Sequence, residues 1–274
     1  PKTDGFPDAT NTGFRGAGLS ESDLRDSGVS GTWRINSPGV YSDFKHAGLI
    51  EVNANNVTLR RCLVRTTSVR PLIINRAKNL VVEDCTFVGL GQNKDNICAA
   101  AIGYGEYTAR RVNVSQCADG LKLASNTTIE DSYIHNLAGD RFGNGAGTHN
   151  DAFQLNNGSG ASSNILVRGD TVTVEGCTSN RLFQIGAPVT NLRIENNFLG
   201  GLHGIINARD VTGRITGNTY QGSTRRGPFS THQGKPSPGL YTGSLGGMTR
   251  SGNVFESGES ADTDTRVPSY QCVN

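Results

Sequence analysis

The sequence predicts an all-β protein, a right-handed single-stranded parallel β-helix with a short N-terminal cap and a long C-terminal loop. The 274 residues include 36 glycines but one methionine and one tryptophan, a composition typical of turn-rich β-structure. Two families of short alternating segments recur along the chain in the same phase. The segments between them have no helical pattern, so the strands are expected to be connected by winding.

The first family of segments begins at Asn56 with NVTLRRCLV and recurs at intervals of about 20 to 40 residues, the period of a repeat architecture. Each copy alternates apolar and polar residues and is bounded by Asn, Gly or Asp, which are typical of strand corners. Stacked copies predict one column of equivalent positions, formed by Val57, Leu80, Tyr107, Thr127, Ile165, Leu192 and Gly213.

A second family of strands runs between these copies, as in DGLKL, DAFQL and RLFQI. Alternation places one column of these strands inside the coil, formed by Ile50, Leu72, Ile102, Leu121, Phe153, Phe183 and Ile205. The residues that follow three of these positions, Lys122, Gln154 and Gln184, are predicted to face solvent as one column. Neighbouring members of a column are expected about 4.8 Å apart.

The pattern divides one β-helix domain into three parts. Residues 1–46 are predicted to form the N-terminal cap and first rung, with a short helix capped by Ser20 covering the open end. Residues 47–220 form the regular rungs. Residues 221–274 form the last rung and a Gly/Pro-rich wrapping segment. The alternative folds, a β-sandwich or a propeller, do not require the two ladders to share a phase.

Cysteines also follow the rungs. Cys62 and Cys85 occupy equivalent positions, as do Cys98 and Cys117. This stacking permits a disulfide within each pair, but buried unpaired thiols are the simpler expectation. No CxxC spacing occurs, so a zinc site is not predicted.

Charge and hydropathy exclude two kinds of partner. Lys and Arg number 26 and Asp and Glu 24, a net charge of +2, so the chain lacks the basic character of a nucleic-acid-binding protein. No apolar run approaches the roughly 18 residues of a membrane span, so no membrane insertion is predicted. The first residues lack the features of a signal peptide, which fits a mature or trimmed chain.

Polar residues gather where strands of the second family begin. Two residues before successive core positions lie Asp119, Asp151, Arg181 and His203. Stacking therefore brings together groups that are distant in sequence. A glycine-rich segment, 135–150, is inserted beside this column and is predicted to wall a groove. The candidate site residues that it carries are Asp140, Arg141, His149 and Asn150.

Two kinds of catalysis suit these residues. Asp119 and Asp151 on adjacent rungs form a carboxylate pair, in which one group with a raised pKa acts as acid in glycoside hydrolysis. Alternatively, Lys122 or His149 abstracts a proton next to a uronate carboxylate bound by Arg181, and β-elimination follows.

Two further interpretations concern the same carboxylates. No cofactor is required for either reaction, but Asp119, Asp151 and Asp140 form a possible Ca²⁺ site that bridges an acidic sugar. The structural alternative is that these aspartates cap backbone N–H groups at turns.

The segments DGFPDATNTG, LIEVNANNVTLRRCLV and THNDAFQL resemble the pectate-lyase-like right-handed parallel β-helix superfamily, in particular secreted β-helix proteins and phage minor tail proteins of actinobacteria. The resemblance covers nearly the whole chain and implies polysaccharide binding, often with cleavage, along the groove of the parallel sheet. His149, Asn150, Asp151 and Gln154 match the HND-x-x-Q run of the actinobacterial group. The signatures of pectate lyases proper are missing, so pectate is not the implied substrate.

We therefore expect a secreted or virion-borne protein that binds a polysaccharide and cleaves it by hydrolysis or elimination. The expected catalytic residues are Asp119, Asp151, His149 and Lys122. The expected substrate-binding residues are Arg181, Gln154, Gln184, His203, Asn150 and Arg141. The alternative is a non-catalytic adhesin or phage receptor-binding domain that recognises a cell-surface glycan. By analogy with phage tailspikes, the chain is a monomer or a homotrimer.

Overall fold

The computed structural model describes residues 5–91, 95–138, 150–155, 160–173, 181–200, 206–208, 210–221, 241–243 and 247–262. Strands dominate these ranges. Helical elements within them include a four-residue helix, α1 (Gly13–Gly16), and a 3-10 turn at Glu21–Asp23. No helix of the described part is long and apolar enough to cross a membrane.

The strands of the first half are β1 (Arg25–Asp26), β2 (Gly31–Ile35), β3 (Gly39–His46), β4 (Gly48–Val52), β5 (Val57–Thr66), β6 (Ile73–Asn75), β7 (Leu80–Glu83), β8 (Thr86–Gly89), β9 (Tyr107–Arg110), β10 (Asn113–Ser115), β11 (Leu121–Lys122), β12 (Thr128–Glu130) and β13 (Tyr133–His135). The strands of the second half are β14 (Asp151–Leu155), β15 (Ser162–Arg168), β16 (Thr171–Thr173), β17 (Arg181–Ile185), β18 (Val189–Glu195), β19 (Phe198–Leu199), β20 (Ile206–Ala208), β21 (Val211–Thr216), β22 (Thr219–Tyr220), β23 (Tyr241–Gly243), β24 (Gly247–Ser251) and β25 (Val254–Phe255).

Each rung of the coil contributes strands to a large sheet of 17 strands and then to a smaller one. The large sheet bends once per rung, so we call the part before the bend sheet A (for example β12, β15 and β18) and the part after it sheet B (β13, β16 and β19). The smaller sheets, β2-β4-β6 and β11-β14-β17, form sheet C. Every pairing between the named strands is parallel, rung over rung. The predicted all-β parallel solenoid is therefore confirmed, and its right-handed winding stays a prediction from the crossover rule.

The first predicted column of equivalent positions is confirmed by the register of sheet A. Leu80 lies opposite Tyr107, and Ile165 lies opposite Leu192. These side chains are buried in one continuous core. Tyr107 crosses the interior, where its hydroxyl donates a hydrogen bond of 2.7 Å to the backbone oxygen of Lys122 in sheet C. Burial raises the pKa of the Tyr107 phenol, so that it remains a donor.

The second predicted column is correct except at one rung. Ile50 pairs with Ile73, and Ile73 with Ile102, so the prediction of Leu72 in this column is wrong. Leu72 and Ile73 are both fully buried, because Leu72 precedes β6 and does not follow the alternation of a regular strand. Leu121, Phe153 and Phe183 lie in register as predicted. Ile205 lies outside the described residues.

The bends between sheets A and B depend on residues with left-handed backbone conformation. Asp84 (φ 53°) and Arg111 (φ 48°) occupy this position on adjacent rungs, and Gly169 (φ 70°) occupies it further along. Asn, Asp and Gly adopt this conformation at the lowest cost, which is why these residue types mark the repeats in sequence. Arg111 also donates two hydrogen bonds to Asp84, at 2.6 and 2.9 Å, which links the two rungs.

The N-terminal part has two segments, and the covering of the open end by the segment that begins at Ser20 stays a prediction. Ser20 caps a helix as predicted, but this helix is a single 3-10 turn closed by a capping box with Asp23. The preceding segment, residues 5–19, which we call the N-terminal strap, packs on the outside of sheet B. Phe14 is buried there against Leu24 and Leu63, because the outer face of sheet B carries apolar residues that need cover.

The C-terminal loop and the cysteines require two further corrections. The Gly/Pro-rich wrapping segment predicted within residues 221–274 contains a strand, β23, which pairs with β20. Disulfides join Cys62 to Cys85 and Cys98 to Cys117, with Cα atoms 4.5 and 4.8 Å apart, so the expectation of unpaired thiols is wrong. Stacking on adjacent rungs holds each pair within disulfide range.

Candidate functional site

The outer face of sheet C carries the polar column predicted from the second family of strands. Lys122 lies opposite Gln154, and Gln154 opposite Gln184. The residues flanking these positions along each strand, such as Phe153 and Leu155, are fully buried. Alternation therefore forces the three polar side chains outward on neighbouring rungs.

Asp119 and Asp151 are neighbours on adjacent rungs, as the sequence predicted. The backbone N–H of Asp151 donates a hydrogen bond of 2.8 Å to Oδ1 of Asp119. The backbone of Arg181 lies opposite Asp151 on the following rung. Asp119 is 4% exposed and Asp151 fully buried. Asp119 thus accepts a hydrogen bond from a backbone N–H, as expected if the aspartates cap turns. Its other oxygen takes part in a second interaction.

That second interaction is an ion pair with Lys122. The Lys122 ammonium contacts Oδ2 of Asp119 and donates a hydrogen bond to Oε1 of Gln154. It also lies 5.5 Å from the centre of the Tyr104 ring, within cation–π range. Lys122 lies on the outer face of sheet C as predicted. The prediction that it faces solvent is wrong, since this residue is only 7% exposed. Burial is tolerated because Asp119 neutralises the ammonium.

Gln154 connects the two carboxylates through its amide. Its Nε2 donates a hydrogen bond of 2.9 Å to Oδ2 of Asp151, and its Oε1 accepts one of 3.0 Å from the Tyr104 hydroxyl. We call Tyr104, Asp119, Lys122, Asp151 and Gln154 the polar cluster. Its groups come from three sequence-distant segments, and the bonds among them fix the orientation of each side chain.

Tyr104 is the member of the polar cluster that sequence analysis missed. It is half-buried. Burial, with smaller contributions from the charges of Asp119 and Asp151, raises the pKa of its phenol to about 12. The phenol is therefore a hydrogen-bond donor at neutral pH. The available signal was the second-family segment AAIGY, in which Gly103 takes the position next to Lys122 and Tyr104 follows it directly.

Several predicted site residues cannot be placed beside the polar cluster. Asp140, Arg141, His149 and His203 lie outside the described residues. Arg181 is described only in its backbone. Asn150 is fully buried directly before β14 and adjoins Asp151 along the chain.

The polar cluster has limited capacity for a metal ion. Both oxygens of Asp119 and Oδ2 of Asp151 accept hydrogen bonds or an ion pair from protein groups. Within the described ranges, no group of three or more His, Cys, Asp or Glu residues is arranged to hold a metal. Asp140, the third predicted ligand, lies outside the described residues, so the Ca²⁺ site stays a prediction.

The cluster can offer hydrogen bonds and the edge of an aromatic ring to a neutral or weakly charged ligand. Tyr104 supplies a ring edge, and the amides of Gln154 and Gln184 supply donors and acceptors in one line. No family model, curated protein or solved structure matches this chain.

Proposed function

We propose that the protein binds a polysaccharide lengthwise along the outer face of sheet C, at the polar cluster and Gln184. The observation that carries this proposal is the in-register column Lys122, Gln154 and Gln184 beside the Tyr104 ring. Amides and aromatic rings are suited to sugars, because a pyranose presents hydroxyl groups at its rim and C–H groups on its faces. A repeat of amides along the coil axis suits a ligand that is itself a repeating chain.

Cleavage of the bound glycan is the second part of the proposal. It is favoured by the Asp119–Lys122 ion pair next to Asp151, since buried ionisable groups concentrated at one surface are typical of catalytic sites. Hydrolysis would use the two carboxylates, and elimination would use Lys122 with a uronate substrate. The non-catalytic alternative, an adhesin or phage receptor-binding domain, uses the same face for recognition alone.

A secreted or virion-borne location belongs to the same proposal. Two disulfides between adjacent rungs support it, because such bonds form and persist mainly in oxidising compartments. A polysaccharide of a cell surface or an extracellular matrix is the partner that such a location provides.

The test is incubation with a panel of bacterial cell-wall glycans and exopolysaccharides, while binding, reducing ends and the ultraviolet absorbance of unsaturated uronates are recorded. Reducing ends without absorbance indicate hydrolysis, both signals indicate elimination, and binding alone indicates the adhesin. Gln184→Ala and Tyr104→Ala should weaken binding about tenfold or more.

The matched control is Thr108→Ala, an outward position on sheet A. Equal weakening by the control would contradict the assignment to sheet C. Absence of binding to every glycan in the panel would reject the proposed function as a whole.

A further inference from the structure

The outer face of sheet A carries a ladder of charges in which acidic and basic residues neutralise one another. Arg110 lies between Glu83 and Glu130 on the adjacent rungs, and the ladder continues further along the coil. The ion pairs join Arg110 to Glu83 and Glu130, Arg168 to Glu130, and Arg214 to Glu195. Every glutamate of the ladder is therefore engaged by an arginine.

Arg193 interrupts this neutralisation. Its in-register neighbours are Leu166 on one rung and Arg214 on the next, so neither side supplies a carboxylate. Glu195, two residues along the same strand, accepts a hydrogen bond of 2.5 Å from Nε of Arg214. The Nε of Arg193 is buried and has no hydrogen-bond partner. In the described part of the chain, Arg193 is thus a half-buried cation without an ion pair.

This arrangement has an energetic cost that a bound anion would remove. Like charges directly opposite each other on neighbouring strands are destabilising, and a buried N–H without a partner forfeits its hydration. A guanidinium presents its donors as a planar fork that matches the oxygens of a carboxylate, sulfate or phosphate. Arg214 uses only its Nε–H in the ion pair with Glu195, so its terminal amino groups are available to the same anion.

We propose that Arg193 and Arg214 form an oxyanion-binding site on the outer face of sheet A that takes a sulfate or carboxylate group of an acidic polysaccharide. Polar groups beside Arg193 favour a sugar. The hydroxyl of Thr212 and the amide of Asn191 lie at the adjacent corner, where the Asn191 N–H donates to Thr212 Oγ1 at 3.3 Å. Nδ2 of Asn191 donates to Oδ1 of Asn164 at 3.0 Å, so the Thr212 hydroxyl and Oδ1 of Asn191 are the groups placed to bond the hydroxyls of a sugar residue next to the anion.

The charge distribution disfavours a nucleic acid. The net charge of the chain is only +2, and Arg110 and Arg168 of the ladder are neutralised by Glu130. A polynucleotide carries one phosphate per nucleotide and is held by a continuous basic surface. This site offers an isolated positive patch instead. It is distinct from the polar cluster on sheet C and does not depend on the function proposed there.

The experiment measures binding of dextran sulfate to the full chain by titration calorimetry, with neutral dextran, inorganic sulfate and a single-stranded oligonucleotide as the other arms. We expect dextran sulfate to bind, neutral dextran not to bind, and Arg193→Ala and Arg214→Ala to weaken binding about tenfold or more. Arg110→Ala removes an equal charge from the neutralised ladder and should change affinity by less than about threefold.

Four outcomes would overturn the proposal. They are no binding of dextran sulfate, equal weakening by Arg110→Ala and Arg193→Ala, binding of inorganic sulfate as tight as that of dextran sulfate, and Arg193-dependent binding of the oligonucleotide at the affinity of dextran sulfate. Thermal unfolding supplies a second criterion. If Arg193 serves only the fold, Arg193→Ala lowers the melting temperature. If Arg193 serves to bind a ligand, Arg193→Ala is as stable as the parent or more stable.

Discussion

Asp170 occupies a core position that asparagine fills on the next three rungs, at Asn197, Asn218 and Asn253. One oxygen of Asp170 accepts a hydrogen bond of 2.7 Å from the backbone N–H of Ser132, and the other, Oδ2, is buried without a partner. Burial raises the pKa of this carboxyl well above its ordinary value, with smaller contributions from nearby acidic groups. The folded protein therefore favours the protonated side chain.

Replacement of Asp170 by Asn should stabilise the protein at neutral pH by about 1 to 3 kcal/mol. The new amide is expected to behave like those of Asn197 and Asn218, whose Nδ2 atoms donate to carbonyl oxygens of the preceding rung. The sign of the pH dependence follows from the raised pKa. Below the ordinary aspartate pKa near 3.8 both folded and unfolded chains are protonated, and stability is lost as the pH rises above it.

Urea unfolding at several pH values tests this expectation. The stability difference between Asp170→Asn and the parent should be smallest near pH 3.5 and should grow towards pH 7. Asp210→Asn is the control, because Asp210 is exposed and asparagine tolerates its left-handed backbone. A pH-independent difference would show that Asp170 is ionised in the folded protein.

Asp151 is the residue whose replacement best separates catalysis from binding. Its buried carboxylate is held by Gln154, and asparagine has the same shape and retains an oxygen that can accept this bond. If the bound glycan is cleaved, Asp151→Asn should lower the cleavage rate about a hundredfold or more. Glycan binding and the melting temperature should stay near the parent values. An active, normally folded variant would remove Asp151 from the mechanism.

At the scale of elements, the corner between sheets A and B is held by a buried column that we call the Asn ladder, Asn197, Asn218 and Asn253. Oδ1 of Asn218 accepts hydrogen bonds of 2.9 Å from both the backbone N–H and Nδ2 of Asn197. Oδ1 of Asn253 serves Asn218 in the same way. Each amide thereby satisfies backbone groups that the bend removes from the sheet ladders.

Asn197→Ala should destabilise the protein by about 2 to 4 kcal/mol, because it removes the acceptor of the buried Asp170 N–H and a donor to the Val167 carbonyl. Asn53→Ala is the matched control. Asn53 is exposed, and its side chain donates to the exposed Asn36, so the expected cost is below about 0.5 kcal/mol. Chemical denaturation of both variants measures the two costs. Equal costs would mean that the ladder contributes no more than surface hydrogen bonds.

The same elements show what sequence reasoning can reach. The alternation of apolar residues is local, so the phases of both strand families and the pairing of Asp119 with Asp151 could be predicted. The slip from Leu72 to Ile73 could not, because both side chains are buried at an irregular strand start. Nor could the burial of Lys122, which depends on contacts with other rungs that no single segment encodes.

At the scale of the whole molecule, the N-terminal strap links rungs that do not touch one another. The backbone N–H of Gly13 donates a hydrogen bond of 2.7 Å to the Arg111 carbonyl. Phe14 packs on Leu63 towards the first rungs, and the Phe6 ring lies 5.7 Å from that of Phe198 near the last ones. In a solenoid each rung otherwise contacts only its neighbours, so the strap adds long-range coupling along the coil.

Removal of residues 1–19 should therefore lower both stability and cooperativity. Deletion exposes Leu63 and Phe198, and Phe14→Ala alone should cost about 3 kcal/mol because Phe14 is 2% exposed in its pocket. Without the strap, the first and last rungs are coupled only through their neighbours and are expected to unfold at different temperatures.

Calorimetry should give equal calorimetric and van't Hoff enthalpies for the full chain, and a larger calorimetric enthalpy for the deletion variant. Phe6→Ala changes the half-buried end of the strap. Its ratio of calorimetric to van't Hoff enthalpy should lie between those of the full chain and the deletion variant. A deletion variant that unfolds in one transition at the parent temperature would show that the rungs are coupled by nearest-neighbour stacking alone.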